Sequence, residues 1–268
     1  MLLNIDGHDA YCYAGGKLFD ATLPTVVFIH GAQNDHSVWV LQTRYFAHHG
    51  FGVLAVDLPG HGRSKGAALT SVEAMAGWLL RVLDAAGVQS ASLIGHSMGS
   101  LIALETQAKA PARVAKLALV GTSYPMKVSD TLLNAALNDE QSAIDMVNIW
   151  SHTSIAQKPS FPGPGFYAMG GGQRLMQHIS RHSDEKVFHI DFSACNAYAN
   201  GEAAALAVTC PTLFLLGKRD MMTPPKATAT LTKAIPTAQV VQLEHCGHAL
   251  MAEQPDAVLD NLYRFMTR

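Results

Sequence analysis

Two glycines flank a serine at alternate positions in Gly95-His96-Ser97-Met98-Gly99. An apolar, strand-like run (91–94) precedes this peptide, and a helix-like run (100–104) follows it. So tight a turn strains the central residue, and glycines two positions away leave room for the adjacent strand and helix. The hydroxyl of Ser97 would then stand at a helix N-terminus, where backbone N–H groups favour developing negative charge. The pattern predicts a nucleophilic serine.

A serine hydroxyl needs a base within hydrogen-bond reach, and a third group must orient that base. Histidine titrates in the required range, but the chain contains 13 histidines, so position must choose among them. His248 and His245 share the loop after a predicted strand (239–243). We favour His248 because Gly247 before it permits a sharp loop and a helix start follows it. His245 is the alternative.

The third group should follow another strand between the serine and the histidine, in the order Ser, Asp or Glu, His. Asp220 comes just after the predicted strand 211–216. No acidic residue directly follows the strand 114–120, where Gly121-Thr122-Ser123 stand. Asp220 is therefore the predicted partner of the histidine.

Acyl transfer also requires N–H donors for the oxyanion of the tetrahedral intermediate. One predicted donor is the backbone N–H of Met98, directly after the serine. The other should come from the loop after the strand 25–29, where Gly31 permits close approach; Ala32 is the first choice and Gln33 the second. We expect His30 to brace this loop rather than to transfer protons.

Alternating apolar runs and helical patterns must position these residues. The runs predict strands at 9–13, 25–29, 53–56, 91–94, 114–120, 211–216 and 239–243, and helices at 37–49, 71–86 and 256–266. This alternation predicts a mostly parallel sheet with helices on both faces, and such sheets bind ligands beyond the carboxyl ends of their strands. The fold class is α/β.

Residues 124–206 interrupt the alternation, between core segments 1–123 and 207–268. Two helical apolar faces are predicted there, from Leu132, Leu133, Ala136 and Leu137 and from Phe188, Phe192, Cys195 and Ala199. The Pro- and Gly-rich stretch 159–165 and the triplet Gly170-Gly171-Gly172 are predicted to lie outside regular helix. We interpret this insertion as a mostly helical lid, because long inserts in compact domains are usually functional.

Composition excludes several classes of function. The 268 residues are 49% hydrophobic and 15% charged, with a net charge of −2 and no basic block, which disfavours nucleic-acid binding. We expect no signal peptide, no membrane span and a cytoplasmic monomer or homodimer. Four dispersed cysteines without Cys-x-x-Cys spacing predict buried thiols rather than a metal or redox site.

Five motifs in order resemble the α/β-hydrolase superfamily, in particular its cap-bearing esterase, haloperoxidase-like and carbon–carbon-bond hydrolase branch. They are His30-Gly31 followed by Trp39, the segment 57–64, the segment 95–99, Gly217 with Asp220, and Gly247-His248 with Glu253 and Pro255. The resemblance implies an eight-stranded, mostly parallel sheet with an inserted helical cap. It also implies a Ser97, Asp220 and His248 triad, Ala32 and Met98 as oxyanion donors, and no cofactor or metal. Within 57–64, Asp57, Gly60, Arg63 and Ser64 would shape a loop, and Trp39 would pack in the core.

The leading hypothesis is a serine hydrolase that forms an acyl-enzyme from a small or medium, fairly apolar carboxylic ester or related acyl compound. The candidate substrate-binding residues are Gln33, Trp150, Phe161, Phe166 and Tyr167, with Met126 and Met169 also available in the cap. The polar stretch 33–36 either lines the pocket or faces solvent.

Two alternatives stay open. A carbon–carbon-bond hydrolase would use the same triad with further polar groups, for which Arg174, Arg181 and His182 are candidates. A small-molecule receptor would keep the triad without turnover. Haloalkane dehalogenases and epoxide hydrolases carry an aspartate as nucleophile, so Ser97 argues against both.

Overall fold

The computed structural model describes residues 1–153, 168–183 and 185–268. Eight strands lie within them: β1 (Leu2–Ile5), β2 (His8–Tyr13), β3 (Thr25–Ile29), β4 (Gly52–Val56), β5 (Ala91–His96), β6 (Val114–Val120), β7 (Thr212–Gly217) and β8 (Ala238–Leu243). They form one sheet in the order β1-β2-β4-β3-β5-β6-β7-β8. β1 and β2, and β2 and β4, pair antiparallel, whereas the remaining neighbours are parallel. The predicted fold class is confirmed.

The helices found in the described residues are α1 (Val40–His48), α2 (Val72–Ala85), α3 (Met98–Lys109), α4 (Asp130–Asn138), α5 (Glu140–Trp150), α6 (Ala168–His182), α7 (Val187–Ala197), α8 (Gly201–Leu206), α9 (Ala229–Ala234), α10 (Leu250–Glu253) and α11 (Pro255–Thr267). The predicted start of α2 is confirmed, because the Ser71 hydroxyl accepts a 3.1 Å hydrogen bond from the N–H of Ala74. Across these helices, none combines the length and the apolar character that crossing a membrane would require.

Helices cover both faces of the sheet, and alternate residues of β3 contact the two layers. Val27 and Ile29 belong to a core cluster with residues of α2 and α3. Val26 and Phe28 belong to a second cluster on the opposite face, with residues of α1 and α11. Because successive strand side chains point to opposite faces, a strand buried on both sides reads as a continuous apolar run. This is why β3 matches its predicted bounds; β6 also matches them, although Ala115 near its start is exposed.

β1 was not singled out by the sequence patterns. It pairs only with β2, and Leu2 at its start is exposed while Ile5 at its end is buried. An edge strand that buries one face of four residues carries too short an alternation to stand out.

Between β6 and β7 the chain forms α4 to α8. α4, α5, α6 and α7 share a small apolar core of their own, consisting of Leu132, Ala136, Ala143, Ile144, Met176, Phe188 and Phe192. The apolar faces predicted around Leu132 and around Phe188 are therefore present in part. Leu137 is 42% exposed, and Ala199 is exposed and lies beyond the end of α7, so these two residues were wrongly assigned to the faces. The β6–β7 connection lies at the carboxyl edge of the sheet, where the candidate catalytic residues also lie.

The prediction that Gly170-Gly171-Gly172 lies outside regular helix is wrong. α6 begins at Ala168 and contains all three glycines. Glycine costs about 1 kcal/mol relative to alanine in a helix interior, but tertiary packing routinely overrides such preferences. α6 buries Met176 and Ile179. A Cβ at Gly172 would lie 3.4 Å from Oδ1 of Asn148 on α5, in ordinary van der Waals contact. The stretch 159–165 lies outside the described residues.

Candidate active site

Ser97 lies at the junction of β5 and α3 with φ +53° and ψ −120°, a conformation that non-glycine residues rarely adopt. Its backbone N–H donates a 2.9 Å hydrogen bond to the carbonyl of Val120. A Cβ at Gly95 would collide with the carbonyl oxygen of Gly99, and a Cβ at Gly99 would collide with that of Ile29. The two glycines are therefore what allow the turn to close under the serine.

His248 follows β8 and Asp220 follows β7, so both lie at the same edge of the sheet as Ser97. Nδ1 of His248 lies 2.8 Å from Oδ2 of Asp220, and both residues are buried. Ser97 and His248 line the same two cavities. The structure thus pairs Asp220 with His248 and places Ser97 on the same cavities as His248.

Hydrogen bonds hold Asp220 as an anion. Its Oδ1 accepts from the N–H groups of Met222 (2.8 Å) and Thr223 (2.7 Å), and its Oδ2 accepts from the Thr223 hydroxyl (2.7 Å). Burial raises the pKa of Asp220, but His248 and Thr223 outweigh burial and lower it to about 2. An ionised carboxylate only accepts hydrogen bonds, so Nδ1 of His248 carries the proton and the neutral ring keeps its lone pair on Nε2. That lone pair is what a general base requires.

The alternative base, His245, lies in the same loop with a different orientation. Its φ is +53° and its side chain is exposed, whereas His248 is only 6% exposed. Asp220 pairs with His248. The geometry therefore favours His248 over His245.

The loop after β3 packs directly on the serine. A Cβ at Gly31 would lie 3.1 Å from Cβ of Ser97, and the next residue, Ala32, lines the larger cavity. His30 braces this loop, as predicted: its Nδ1 lies 2.8 Å from the carbonyl oxygen of Gly31, and its Nε2 accepts a 3.1 Å hydrogen bond from the N–H of Leu58. One donor and one acceptor define a neutral ring, and burial is the largest cause that lowers the pKa of His30, to about 4.

Gln33 departs from its predicted roles. Its backbone N–H, the second-choice oxyanion donor, donates a 2.8 Å hydrogen bond to Oδ2 of Asp191 on α7. Its side-chain Nε2 donates to the carbonyl of Met176 (3.0 Å) and to the hydroxyl of Ser180 (2.8 Å), both on α6. Gln33 is fully buried and is not among the described residues that line either cavity. It joins the loop to the inserted helices instead of binding substrate or facing solvent.

The neighbours of Ser97 in sequence occupy distinct positions. Met98 is the first residue of α3, so its backbone N–H is one of the N-terminal groups without an intrahelical acceptor. His96 is buried, and its Nε2 lies 2.9 Å from the carbonyl oxygen of His248, so it supports the loop that carries the histidine. Burial is the largest cause that lowers the pKa of His96, to about 3. Sequence reasoning did not assign this role, although His96 stands beside Ser97.

Two cavities meet at Ser97 and His248. The larger has a volume of about 470 Å³, and its described lining is mainly apolar, including Val38, Leu41, Val147, Leu175 and Met176. The smaller has a volume of about 140 Å³ and is lined by residues that include Met126, Leu132, Trp150 and Cys195. Phe192 and Met222 line both cavities. A ligand centred on the serine therefore has a large, mainly apolar cavity and a second, smaller cavity within reach.

The remaining substrate-binding candidates have different outcomes. Trp150 lines the smaller cavity. Phe161, Phe166 and Tyr167 lie outside the described residues. Met169 lies in the first turn of α6, whose neighbouring residues Ala168, Gly171 and Gly172 line the larger cavity.

The polar groups considered for carbon–carbon-bond cleavage do not reach the cavities. Arg174, Arg181 and His182 are exposed on α6 and are not among the described residues that line either cavity. The structure therefore does not support this use of them.

One cluster in the described residues has the spacing of metal ligands, with donor atoms of Asp35, His36 and Asp57 within 4.8 Å of one another. Asp57 instead builds a loop: its Oδ1 accepts from the N–H and Nδ1 of His36 (2.8 and 2.7 Å), and its Oδ2 accepts from the N–H of Arg63 (2.8 Å). The structural role expected of Asp57 is confirmed. Trp39 is fully buried in the core, and all four cysteines are buried, also as expected.

Sequence reasoning missed two further residues of the site. Thr223 lies between Asp220 and His248, and its position three residues after Asp220 is a local signal that could have indicated it. Asp191 is fully buried on α7 between Phe188 and Phe192. An acidic residue within a predicted apolar helical face was the available signal, because buried carboxylates require partners.

Comparisons with known proteins identify the family of the chain. The sequence model of the Alpha/beta hydrolase family matches residues 26–261. A putative carbamate hydrolase RutD from Klebsiella pneumoniae is 26% identical over 249 residues, covering 87% of this chain and 87% of that protein. The dihydrolipoyllysine-residue acetyltransferase component of the acetoin cleaving system from Cupriavidus necator is 41% identical over 97 residues, 36% of this chain and only 26% of that protein. The chain matches about a quarter of the length of this second relative.

Among solved structures, the enol-lactonase from Burkholderia xenovorans LB400 is similar with a TM-score of 0.82. The match covers 100% of both chains at 21% identity, so it speaks for the fold alone. The family match spans most of the chain, from β3 into α11, and includes Ser97, Asp220 and His248. The chain belongs to the alpha/beta hydrolase family.

Proposed function

We propose that the protein is a serine hydrolase that cleaves a small or medium, fairly apolar carboxylic ester or related acyl compound through an acyl-enzyme. The observation that carries this proposal is the 2.8 Å contact between His248 and ionised Asp220, together with a strained Ser97 that lines the same cavity as His248. A relative named as a putative carbamate hydrolase supports an acyl substrate.

In the proposed reaction, Oγ of Ser97 attacks the substrate carbonyl carbon while Nε2 of His248 takes the hydroxyl proton. The N–H groups of Ala32 and Met98 donate to the oxyanion of the tetrahedral intermediate. The bond to the leaving alcohol then breaks as His248 returns the proton to the alcohol oxygen. Water, deprotonated by His248, attacks the acyl-enzyme and releases the carboxylic acid. Asp220 holds the ring and stabilises its cationic form throughout.

Residues 124–206 serve as a cap in this proposal. α5, α6 and α7 each contribute residues to the larger cavity, including Asn148, Leu175 and Phe192. A cap that lines the cavity excludes water and sets the size of the substrate. The two cavities differ in volume by more than threefold, about 470 against 140 Å³. An asymmetric substrate, with one bulky apolar side and one small side, fits this partition.

Fluorophosphonate labelling followed by peptide mass analysis tests the proposal. We expect covalent attachment at Ser97, multiple turnovers of p-nitrophenyl esters, and a loss of activity of at least about 10³-fold in Ser97→Ala. Ser142→Ala, which changes an exposed serine of α5, is the matched control and should keep its activity. Absence of label from Ser97 would overturn the proposal. Labelling without repeated turnover would instead support a receptor.

A further inference from the structure

Asn148 on α5 carries a buried polar atom without a partner. The residue is only 7% exposed and lines the larger cavity. Its side-chain Oδ1 has no hydrogen-bond partner in the part of the chain that the structure describes. Buried carbonyl oxygens are nearly always hydrogen-bonded, and one that lacks a donor is unfavourable. A leucine of similar shape would avoid this cost, so the amide is better explained by a ligand than by packing.

The inserted helices leave space beside this atom. Gly171 and Gly172 on α6 line the same cavity, and a Cβ at Gly172 would lie 3.4 Å from Oδ1 of Asn148. A side chain at this position would occupy the room that a hydrogen-bond donor needs. The glycines that weaken α6 as a helix therefore keep the approach to Asn148 open.

The surroundings of Asn148 restrict the chemistry of the donor. The described lining of the larger cavity contains no Asp, Glu, Lys or Arg and is mainly apolar, with Val147 and Leu175 among its residues beside the polar Ser151 and His152. An ammonium group would be desolvated there without a counter-charge, which is strongly unfavourable. A neutral donor, an amide N–H or a hydroxyl, satisfies the carbonyl oxygen without introducing charge.

We propose that the substrate portion held in the larger cavity is apolar and carries a neutral hydrogen-bond donor, which Oδ1 of Asn148 accepts. The inference rests on the proposed hydrolase function and assigns its substrate class: N-acylamino or hydroxyl-bearing esters and lactones rather than plain alkyl esters. Asn148 acts as a specificity residue that contacts the substrate away from the reacting carbonyl.

Matched p-nitrophenyl esters test this assignment. The acyl groups of the series carry an acetamido group at successive positions, from 3-acetamidopropanoate to 6-acetamidohexanoate. Each ester is paired with the analogue in which the acetamido nitrogen is methylated, so that the N–H donor is absent. A second series places the same amides in the alcohol, as acetate esters. For at least one position we expect kcat/KM to favour the N–H compound by about tenfold, the effect of one hydrogen bond. Asn148→Leu should bring this ratio close to one, whereas Asn134→Leu, an exposed site on α4, should preserve it.

Gly172→Ala provides a second variant with better helix propensity, so failure to fold is not expected. Its Cβ would lie 3.4 Å from Oδ1 of Asn148 and should lower the same ratio by filling space beside that oxygen. Equal turnover of N–H and N-methyl compounds at every position, or a preference that survives Asn148→Leu, would overturn the inference.

Binding separates this inference from the proposed function. Calorimetric titration of Ser97→Ala with the matching methyl esters measures the preference for the N–H compound without turnover. A preference in binding without turnover by the wild type would leave the role of Asn148 standing and contradict the hydrolase. Turnover by the wild type, without any preference for the N–H compound, would leave the hydrolase proposal standing and contradict the role of Asn148.

Discussion

The carboxylate of Asp191 accepts a 2.8 Å hydrogen bond from the backbone N–H of Gln33. Asp191 belongs to α7 of the insertion, whereas Gln33 follows Ala32 in the loop that packs on Ser97. Gln33 also has a φ of +56°, which is unusual for a non-glycine residue. A buried carboxylate of the insertion therefore holds a strained residue next to the predicted oxyanion donor.

The first prediction concerns Asp191→Asn, which keeps the shape of the side chain and removes its charge. We expect kcat to fall by about 10- to 100-fold, because displacement of an oxyanion donor weakens a contact made mainly in the transition state. Ester hydrolysis is measured at a temperature where thermal scans show both proteins folded. Asp130→Asn changes an exposed carboxylate on α4 and is the control. Equal losses in the two variants would refute a link between α7 and the loop that carries Ala32.

Asp191 has a second partner, the buried His61. Nε2 of His61 lies 2.9 Å from Oδ2 of Asp191, and its Nδ1 lies 3.0 Å from the carbonyl oxygen of Pro59. Both partners only accept hydrogen bonds, so the doubly protonated ring satisfies both. Burial lowers the pKa of His61, but the charge of Asp191 and its hydrogen bond outweigh burial, and the net shift is upward.

The second prediction is a pH dependence of stability. A raised pKa in the folded state means that the contribution of His61 is fully present below about pH 6.5 and is lost as pH rises through its folded pKa. The difference in free energy of unfolding between the wild type and His61→Gln should therefore shrink from pH 5.5 to pH 9 in urea titrations. His30 faces the ring but has a pKa of about 4, so it stays neutral over this range.

An exposed histidine serves as the control for this dependence. His8→Gln should give a difference from the wild type that does not change with pH. A difference for His61→Gln that grows with pH would show that the ring is neutral and that the Asp191 contact has another basis.

Local patterns were sufficient to predict most of the core and the placement of Ser97, Asp220 and His248 at one edge of the sheet. β3 is buried on both faces, so its five residues form an apolar run that marks its bounds. The glycines of the peptide around Ser97 are a local signal of its turn. A Cβ at Gly95 would collide with Gly99 in the same peptide, and a Cβ at Gly99 would collide with Ile29 on the adjacent strand β3. Asp220 and His248 followed from a general property of parallel sheets, whose strand ends share one edge.

Contacts between the core and the insertion could not be predicted in this way. Gln33 and Asp191 are separated by 158 residues, and His61 and Asp191 by 130. Neither the polar stretch 33–36 nor the acid within an apolar helical face identifies its partner. Their pairing depends on how α7 packs on the loops, and sequence periodicity carries no such information. The helical Gly170-Gly171-Gly172 was missed for the same reason, since packing outweighed local propensity.

The third prediction concerns Thr223, whose hydroxyl donates to Oδ2 of Asp220 and lies 3.1 Å from Nδ1 of His248. Thr223→Val removes the hydroxyl and should lower kcat/KM by about tenfold, because the carboxylate loses one of the bonds that fix it against the ring. Thr223→Ser keeps the hydroxyl and should stay within about threefold of the wild type. Ester hydrolysis by the two variants at equal folded concentration checks this. If valine and serine lower the rate equally, the methyl group matters and the hydrogen bond does not.

The fourth prediction separates a glycine required by backbone approach from one that is not. A Cβ at Gly99 would collide with the carbonyl oxygens of Ile29 and His30, which are backbone atoms that cannot rotate away. Gly99→Ala should therefore lower the free energy of unfolding by about 3 kcal/mol or more and displace Ser97.

Gly77 lies inside α2, and the nearest atom to its Cβ would be the end of the Arg81 side chain at 3.6 Å. Gly77→Ala should raise the free energy of unfolding by about 1 kcal/mol through helix propensity. Urea unfolding of both variants measures the opposite signs, and a stable Gly99→Ala protein would show that the serine turn closes without this contact.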